Sequence, residues 1–318
     1  MKTYLVTGGA GFIGSHLAEE LVRRGEKVRI LDNFITGKRE NLASFQNFVD
    51  LIEGDIRDME TCRKALRGVD YVLHQAALPS VPRSIEEPLL AHDINVNGTL
   101  NLLVASVEAK VSRFIFASSS SVYGDDPTLP KREGQEGAPL SPYAVHKLIA
   151  EKYCRVFYDI YGLGTVCLRY FNIFGPRQDP ASQYAAAIPL FITLMLNEDR
   201  PQIFGDGEQS RDFTYIANVV EANLRAVEAP EDALGDVFNI AAGERTTVNT
   251  LVREIGELLG VFIVPLYSDA RPGDILHSFA DIGKAKRVLG YEPMTGFRQG
   301  LKKAAAWYRE RRQHAPGS

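Results

Sequence analysis

The chain has few cysteines, no long apolar run and no recognisable export signal. Its three cysteines, Cys62, Cys154 and Cys167, lack CxxC spacing. No disulfide framework and no metal site is therefore predicted, and reduced thiols in a cytoplasmic protein are expected. No run of eighteen apolar residues occurs, so no membrane-spanning helix and no membrane partner are predicted. The first residues, MKTYLVTGGAGF, lack an apolar signal segment, so folding is expected to start there.

The chain also lacks an excess of charge of one sign. Lysine and arginine total 36 against 40 for aspartate and glutamate, a net charge of −4. This balance gives no reason to predict nucleic acid or an anionic membrane surface as a partner, although a local cationic pocket is compatible with it. No internal repeat or low-complexity tract is present, and 318 residues exceed one compact core, so two lobes are expected.

A glycine motif stands near the start of the chain. Residues 2–32 read as a strand, a glycine turn, a helix, a second strand and an acid. Gly8 allows a tight turn, Gly11 lets the backbone approach a pyrophosphate, and Gly14 allows close packing of helix on strand. The carboxylate of Asp32 suits a ribose diol and repels a 2′-phosphate, which favours NAD over NADP. An ordinary glycine-rich turn is the alternative, but it does not require the downstream acid.

Strands and helices alternate through residue 171, which predicts an α/β fold with a Rossmann-type doubly wound parallel sheet. Further strands are predicted at 48–53, 71–74, 114–117 and 165–171, and helices at 95–110 and 141–161. After Pro176 the prolines and short segments indicate a smaller C-terminal α/β lobe that binds substrate. The predicted domains are an NAD-binding domain over 1–175, with returning segments near 206–244, and a lobe that makes up most of 176–318.

A tyrosine and a lysine share one face of the predicted helix at 141–161. Ser141 can cap this helix and Pro142 can open its first turn. Tyr143 and Lys147 are four residues apart, and a cation beside a phenol lowers the phenol's pKa. The pattern predicts a general base, and the alternative is a surface helix with a packed tyrosine and a solvated lysine.

Loops that follow the predicted strands are candidate ligand contacts, because parallel sheets bind ligands at the carboxyl ends of their strands. Asp55 and Ile56 follow the third strand, and Gln75-Ala-Ala77 follows the fourth. The small residues suit a bound cofactor or simply tight packing. The serine run 118–121 follows the fifth strand and can supply a hydroxyl to a substrate, or it is a solvated turn.

The motifs TGGAGFIG, SSSSVYG, YAVHK and LRYFNIFG together resemble the NAD-dependent sugar-nucleotide epimerase/dehydratase family, from residue 3 to about 310. The stretches HQAALPSVPRSI and GDGEQSRDFTYI most resemble UDP-N-acetylglucosamine and UDP-glucose 4-epimerases. The resemblance implies catalytic roles for Tyr143, Lys147 and Ser119. It implies NAD contacts from Gly8, Gly11, Phe12, Ile13, Gly14, Asp32, Asn33, Asp55, Ile56, Gln75, Ala76, Ala77, Asn95, Tyr143, Lys147 and Phe171. It implies UDP-sugar contacts from Ser119, Ser121, Tyr143, Asn172, Ala186, Arg211, Arg271, Asp274 and Ser278.

Departures from the family's other branches narrow the expected activity. Dehydratases carry an Asp-Glu pair after the catalytic hydroxyl, where this chain has Ser120 and Ser121, and decarboxylases place glutamate at the second position. Some epimerases restricted to plain sugars carry a bulky tyrosine where this chain has Ser278, so room for an N-acetyl group is expected. Each arginine of the implied site has a surface ion pair as its alternative, although a diphosphate suits guanidinium groups better.

The resemblance implies reversible C4 epimerisation of a UDP-hexose through a 4-keto sugar with tightly bound NAD. Two alternatives stay open, a UDP-uronate 4-epimerase on the same scaffold and a non-catalytic NAD-binding sensor. The resemblance also implies a homodimer formed through the helices at 95–110 and 142–160. The apolar faces of those helices are equally compatible with an internal core.

Overall fold

A computed structural model describes residues 1–180, 186–270 and 276–313. Its strands are β1 (Thr3–Thr7), β2 (Lys27–Asp32), β3 (Val49–Glu53), β4 (Tyr71–His74), β5 (Arg113–Ser119), β6 (Gly164–Tyr170), β7 (Ile173–Phe174), β8 (Gln202–Phe204), β9 (Ser210–Arg211), β10 (Thr214–Tyr215), β11 (Asp236–Ile240), β12 (Thr246–Thr247) and β13 (Leu266–Ser268). Its α-helices are α1 (Phe12–Arg23), α2 (Met59–Ala65), α3 (Val81–Glu86), α4 (Pro88–His92), α5 (Gly98–Glu108), α6 (Pro142–Tyr161), α7 (Ala187–Leu196), α8 (Ile216–Val227), α9 (Val248–Leu259), α10 (Gly283–Leu289) and α11 (Phe297–Gln313).

Seven strands form one parallel sheet in the order β3-β2-β1-β4-β5-β6-β11. The predicted doubly wound α/β fold is confirmed. The strand order reverses between β1 and β4, so the loops that leave their carboxyl ends diverge and open a crevice. Strand β11 pairs with β6, from Asp236 beside Val166 to Ile240 beside Tyr170, and so returns to the sheet from far along the chain.

Two apolar layers cover the sheet because alternate residues of each strand point to opposite faces. On β5, Phe114 and Phe116 belong to one buried cluster, while Ile115 and Ala117 belong to the other. Helices α2, α5 and α6 pack on the first face, and α1 and α8 pack on the second. All three cysteines are free and buried in these layers.

Helix α6 begins and ends where its sequence requires. The Ser141 side chain accepts a hydrogen bond from the backbone N–H of Ala144 at 3.2 Å, and Pro142 opens the first turn. Gly162 ends the helix in the left-handed conformation, with φ of 71°. This start sets Tyr143 in the first turn, beside the end of β5.

The helix predicted at 95–110 begins earlier than expected. Pro88 opens α4, and a π-helical turn at Asp93–Asn97 joins α4 to α5. A π turn breaks the 3.6-residue period, so sequence periodicity indicated only the part after it. Beyond the sheet, α7, α9 and α11 pack together beside three two-stranded pairs. None of the helices in the described ranges has the length and apolarity to cross a membrane.

Candidate active site

A cleft of about 890 Å³ opens where the strand order reverses. Its floor is the glycine turn between β1 and α1, and the end of β5 and the start of α6 form one wall. The predicted site residues that line it are Gly8, Gly11, Phe12, Ile13, Gly14, Asp32, Asn33, Ile56, Gln75, Ala76, Ala77, Ser119, Tyr143, Asn172 and Ala186. The structure therefore brings residues from the ends of strands β2 and β5, from the first turns of α1 and α6 and from several loops to one concave surface.

The glycine turn is sterically restricted to glycine at two positions. Gly8 has φ of +65°, and a Cβ there would lie 2.8 Å from Cα of Ala76. A Cβ on Gly14 would lie only 2.1 Å from the carbonyl oxygen of Gly8. Gly11 caps α1 without a side-chain hydrogen bond, so the helix N-terminus stays open to the cleft. An open N-terminus beside a bare backbone suits a pyrophosphate.

Asp32 ends β2 with a carboxylate that is only 7% exposed. One oxygen accepts the N–H of Ala10 at 2.9 Å, and the other accepts the N–H of Phe34 at 2.8 Å. Burial raises the pKa of this carboxyl, and the two backbone donors oppose the rise. Each oxygen keeps a second lone pair, which is what a ribose diol in the cleft would need. Asp55 lies behind Asn33, which donates to it at 2.8 Å, and does not itself line the cleft.

A directed chain of hydrogen bonds fixes the loop that follows β4. Thr99 donates to the carbonyl of Asn95 at 2.7 Å, so its oxygen accepts from Nε2–H of His74 at 2.9 Å. Nδ1 of His74 then accepts from Thr7 at 2.7 Å, and the oxygen of Thr7 accepts the N–H of Ala76 at 3.2 Å. Burial lowers the pKa of His74 to about 3, with a further contribution from the charge of Lys147. The imidazole is therefore neutral and holds the cleft wall in place.

Asn95 and Phe171, predicted to touch the cofactor, lie behind the wall of the cleft. The Asn95 side chain accepts the N–H of Leu78 at 2.7 Å and donates to its carbonyl at 3.3 Å. Phe171 is fully buried, with its ring against Tyr123. Neither side chain is among the residues that line the cleft, because each is committed to packing or to backbone pairing.

Tyr143, Lys147 and Ser119 meet at the junction of α6 and β5. Nζ of Lys147 is buried, donates to the carbonyl of Ala117 at 2.6 Å and lies 5.7 Å from the centre of the Tyr143 ring. The Ser119 oxygen accepts from the backbone N–H of Ser121 at 3.2 Å and from its hydroxyl at 3.0 Å. Tyr143 and Ser119 line the cleft, while Lys147 lies beneath them.

The pKa of the phenol differs from the expectation. Burial raises the pKa of Tyr143 to about 12, and a hydrogen bond from Ser119 opposes the rise. Burial lowers the pKa of Lys147 to about 8, and the charge of Glu151 opposes that fall. The predicted lowering of the phenol's pKa by Lys147 is wrong for this structure, because the ammonium is directed at a backbone carbonyl while the phenol is desolvated.

Two of the remaining predicted substrate contacts, Arg211 and Ser278, lie next to each other outside the cleft lining. Nη1 of Arg211 donates to the carbonyls of Ser210 at 3.0 Å and Leu276 at 3.2 Å. The N–H of Ser278 donates to the same Ser210 carbonyl at 3.0 Å, so these two predicted residues are neighbours, although neither lines the cleft. Arg271 and Asp274 lie outside the described residues.

Several residues that line the cleft, Ser118 among them, were not predicted as contacts. Arg83, Lys38 and Arg177 line the cleft, and Ser84 accepts the backbone N–H of Tyr143 at 3.1 Å. Arg83 and Ser84 lie on α3, whose serine cap at Ser80 and following proline are visible in the sequence. Arg177 adopts φ of +67°, which no sequence pattern indicates for a non-glycine residue.

Comparison with known proteins identifies the family to which this architecture belongs. A family model described as the NAD dependent epimerase/dehydratase family matches residues 4–241. A curated relative, the putative UDP-glucose 4-epimerase of Methanocaldococcus jannaschii, is 39% identical over 95% of this chain and 97% of its own length.

Two solved structures superpose on most of the chain. The UDP-N-acetylglucosamine 4-epimerase from Methanobrevibacter ruminantium, in complex with UDP-N-acetylmuramic acid, is 42% identical with a TM-score of 0.93 and covers 98% of this chain and 99% of its own. The UDP-glucose 4-epimerase of Thermus thermophilus, in complex with NAD, is 36% identical with a TM-score of 0.87 and covers 96% and 99%. A matching family model, a glycine-floored cleft and these likenesses agree, and the chain belongs to the NAD-dependent epimerase/dehydratase family.

Proposed function

We propose that this protein catalyses the reversible inversion of C4 in a UDP-hexose, either UDP-GlcNAc and UDP-GalNAc or UDP-glucose and UDP-galactose, or both pairs. The observation that carries the proposal is the placement of the Tyr143 phenol and the Ser119 hydroxyl together in one wall of the glycine-floored cleft. The relatives named as 4-epimerases supply the reaction class.

The residues of the cleft fit NAD, the cofactor of the family. The open N-terminus of α1 would hold the pyrophosphate, and Asp32 would hold the ribose nearest the β2 end. Gln75, Ala76 and Ala77 provide a wall that a cofactor can approach closely. When bound, NAD supplies the reversible two-electron oxidation of the C4 alcohol to a ketone.

The chain's own residues supply position and proton transfer. Tyr143 takes the proton of the sugar 4-hydroxyl, directly or through Ser119, and returns it after the sugar has presented its other face. The positive charge of an oxidised nicotinamide ring in the cleft would favour the phenolate, so NAD binding would shift Tyr143 toward its basic form. Lys147, beneath the phenol, holds the neighbouring ribose.

The UDP and sugar are assigned to a group of polar residues. Asn172 lines the cleft, and Arg211 and Ser278 meet at the Ser210 carbonyl farther along the chain. Ser121, Ala186, Arg271 and Asp274 complete the assignment. The small side chain of Ser278 leaves space that we assign to the N-acetyl group of the substrate.

The test is product analysis with UDP-GlcNAc and no added NAD. We expect conversion to UDP-GalNAc, because a cofactor regenerated in each cycle stays bound to the purified protein. Parallel reactions with UDP-glucose and UDP-glucuronate measure the sugar preference. Turnover of UDP-glucuronate alone would instead support the uronate epimerase, and NAD binding without turnover of any nucleotide sugar would support the sensor.

We also propose a homodimer and residence in the cytoplasm. The support for a dimer is an apolar outer face on α6, where Val145, Val156 and Ile160 are 40%, 44% and 69% exposed at helical spacing. The support for the cytoplasm is the three free cysteines, which suit a reducing compartment.

A further inference from the structure

The last three residues of β5 each connect to a different residue on one face of α6. The Ala117 carbonyl accepts from Nζ of Lys147 at 2.6 Å. The next residue, Ser118, donates from its hydroxyl to Oε1 of Glu151 at 2.5 Å. The residue after it, Ser119, lines the cleft with Tyr143 and lowers the pKa of its phenol. Because residues four apart share a helix face, Tyr143, Lys147 and Glu151 form one row against the strand end.

Glu151 is held on its other side by a buried arginine. Nε and Nη2 of Arg169 lie 2.8 and 2.6 Å from the two oxygens of Glu151, a bidentate pair. The two side chains are 1% and 2% exposed. Nη1 of Arg169 also lies 2.5 Å from Glu136, which belongs to the connection between β5 and α6. The carboxylate of Glu151 therefore has fixed partners on both oxygens.

A buried ion pair adds little to the free energy of unfolding. The desolvation cost of two buried charges offsets their attraction, so apolar replacements of similar volume are often neutral or stabilising. A bidentate pair does fix geometry, because each of its hydrogen bonds restricts the angle as well as the distance. The pair contacts β5 through Ser118. Ser118 stands between Ala117, whose carbonyl holds Lys147, and Ser119, which lies beside Tyr143.

The charge of Glu151 also acts on Lys147, one turn earlier on α6. Burial lowers the pKa of Lys147 to about 8, and Glu151 is the largest influence that opposes the fall. Without that carboxylate, the ammonium would be less favoured beneath the reacting phenol.

We infer that Glu151, oriented by Arg169, is a positioning residue that sets the reacting geometry of Tyr143, Lys147 and Ser119 through Ser118. The inference rests on the proposed function and deepens it, because it assigns the origin of the site's geometry. Neither Glu151 nor Arg169 lines the cleft, so both act through other residues.

The first experiment compares two buried serines. Ser118→Ala removes the hydroxyl that reaches Glu151 and keeps the ion pair. Ser106→Ala is the matched control, because the Ser106 hydroxyl is buried on α5 and has no hydrogen-bond partner among the described residues. We expect kcat of Ser118→Ala to fall about tenfold with KM near wild type, and the melting midpoint to fall by a few degrees, because the buried carboxylate of Glu151 loses one donor. Ser106→Ala should keep the wild-type kcat.

The second experiment separates positioning from stability. Glu151→Met leaves Arg169 buried without its bidentate partner and should lower the melting midpoint, whereas the double variant Glu151→Met, Arg169→Met should recover it. We expect kcat of the double variant to stay up to about 100-fold low, the loss that small displacements of a reacting group produce. Recovery of kcat together with stability would overturn the inference, as would a wild-type kcat in Ser118→Ala. A wild type without turnover on any UDP-sugar would contradict the proposed function and the inference with it.

Discussion

Tyr143 combines a partly exposed ring with a hydroxyl in a desolvated corner of the cleft. Its phenol is protonated at neutral pH in the structure described, since burial raises its pKa to about 12. The hydrogen bond from Ser119 favours the ionised form, and positive charge from a bound ligand would favour it further. The residue is therefore a base whose strength depends on what fills the cleft.

Replacement of Tyr143 by phenylalanine tests this role. Loss of a general acid–base group costs about 100- to 10,000-fold in rate, so kcat of Tyr143→Phe should be lower than that of the wild type by such a factor or by more. NAD content should stay at the wild-type level, because the ring and the glycine turn remain. Tyr153→Phe, on the same helix and outside the cleft, is the control and should keep its activity. Near-normal turnover by Tyr143→Phe would count against the assignment.

His74 links the end of β4 to the helix behind it as a neutral imidazole. Its pKa is about 3 in the folded protein against 6.5 for an exposed histidine. Between pH 3 and pH 6.5, the unfolded chain therefore binds a proton at this imidazole and the folded protein does not. The stabilising contribution is complete above pH 6.5 and is lost as the pH falls from 6.5 toward 3.

The His74→Gln variant should make stability less dependent on acid. For one proton the loss is about 1.4 kcal/mol per pH unit below the unfolded-state pKa. Urea unfolding midpoints measured from pH 8 to pH 4 should fall less steeply for the variant than for the wild type. Parallel curves for the two proteins would show that His74 does not carry this dependence.

The element that shapes the cofactor side of the cleft is the turn from β1 into α1. Its geometry depends on contact between backbones, since Gly14 packs against the carbonyl of Gly8, and Gly8 against the loop after β4. Close contact lets the first turn of α1 reach the cleft without intervening side chains. A side chain added here would separate the turn from the sheet.

Gly14→Ala should lower both NAD content and stability. A Cβ at 2.1 Å from the Gly8 carbonyl forces a shift, and overpacking of this kind costs about 1–3 kcal/mol. Gly296→Ala is the matched control, because among the described residues its added Cβ would meet only Glu244, at 3.8 Å. Bound NAD, read from the absorbance of the denatured protein's supernatant, and the melting midpoint give the two readouts. A Gly14→Ala protein with full NAD content would contradict the pyrophosphate assignment.

At the scale of the whole molecule, the cleft exists because β1 and β4 are neighbours whose connections run in opposite directions. Strand β11 closes the far edge of the sheet beside β6 and connects it with the C-terminal elements. Buried Asp212 supports that connection by accepting the N–H groups of Ala242 and Gly243. Burial raises the pKa of this carboxyl to about 6.

The outer face of α6 predicts the oligomeric state. Ile160→Lys places a charge on the most exposed apolar residue of the proposed interface and should convert the dimer to a monomer, since burying an unpaired charge is costly. Phe262→Lys is the control, because Phe262 is 94% exposed and lies on the connection after α9. Light scattering coupled to size-exclusion chromatography gives the mass of each protein. A wild-type monomer, or an Ile160→Lys dimer, would contradict this interface.

The amino-acid sequence by itself determined the local parts of this protein. The glycine turn, its downstream acid and the capped helix with Tyr143 and Lys147 depend on spacing over short stretches of chain, and the structure shows these elements in the predicted order. Alternation of strand and helix likewise sufficed for the parallel sheet, because connections between parallel strands are right-handed. These features follow from short-range sterics and hydrogen bonding.

Only the tertiary structure decided which residues meet across the sheet. Asn95 turns to the backbone of Leu78, Phe171 enters the core, and Arg169 finds Glu151, although nothing in their local sequence distinguishes these partners. The same holds for the Tyr143 phenol, whose pKa rises because burial outweighs the helical spacing of Lys147. Desolvation and long-range pairing depend on packing from distant segments, and packing is a property of the folded chain as a whole.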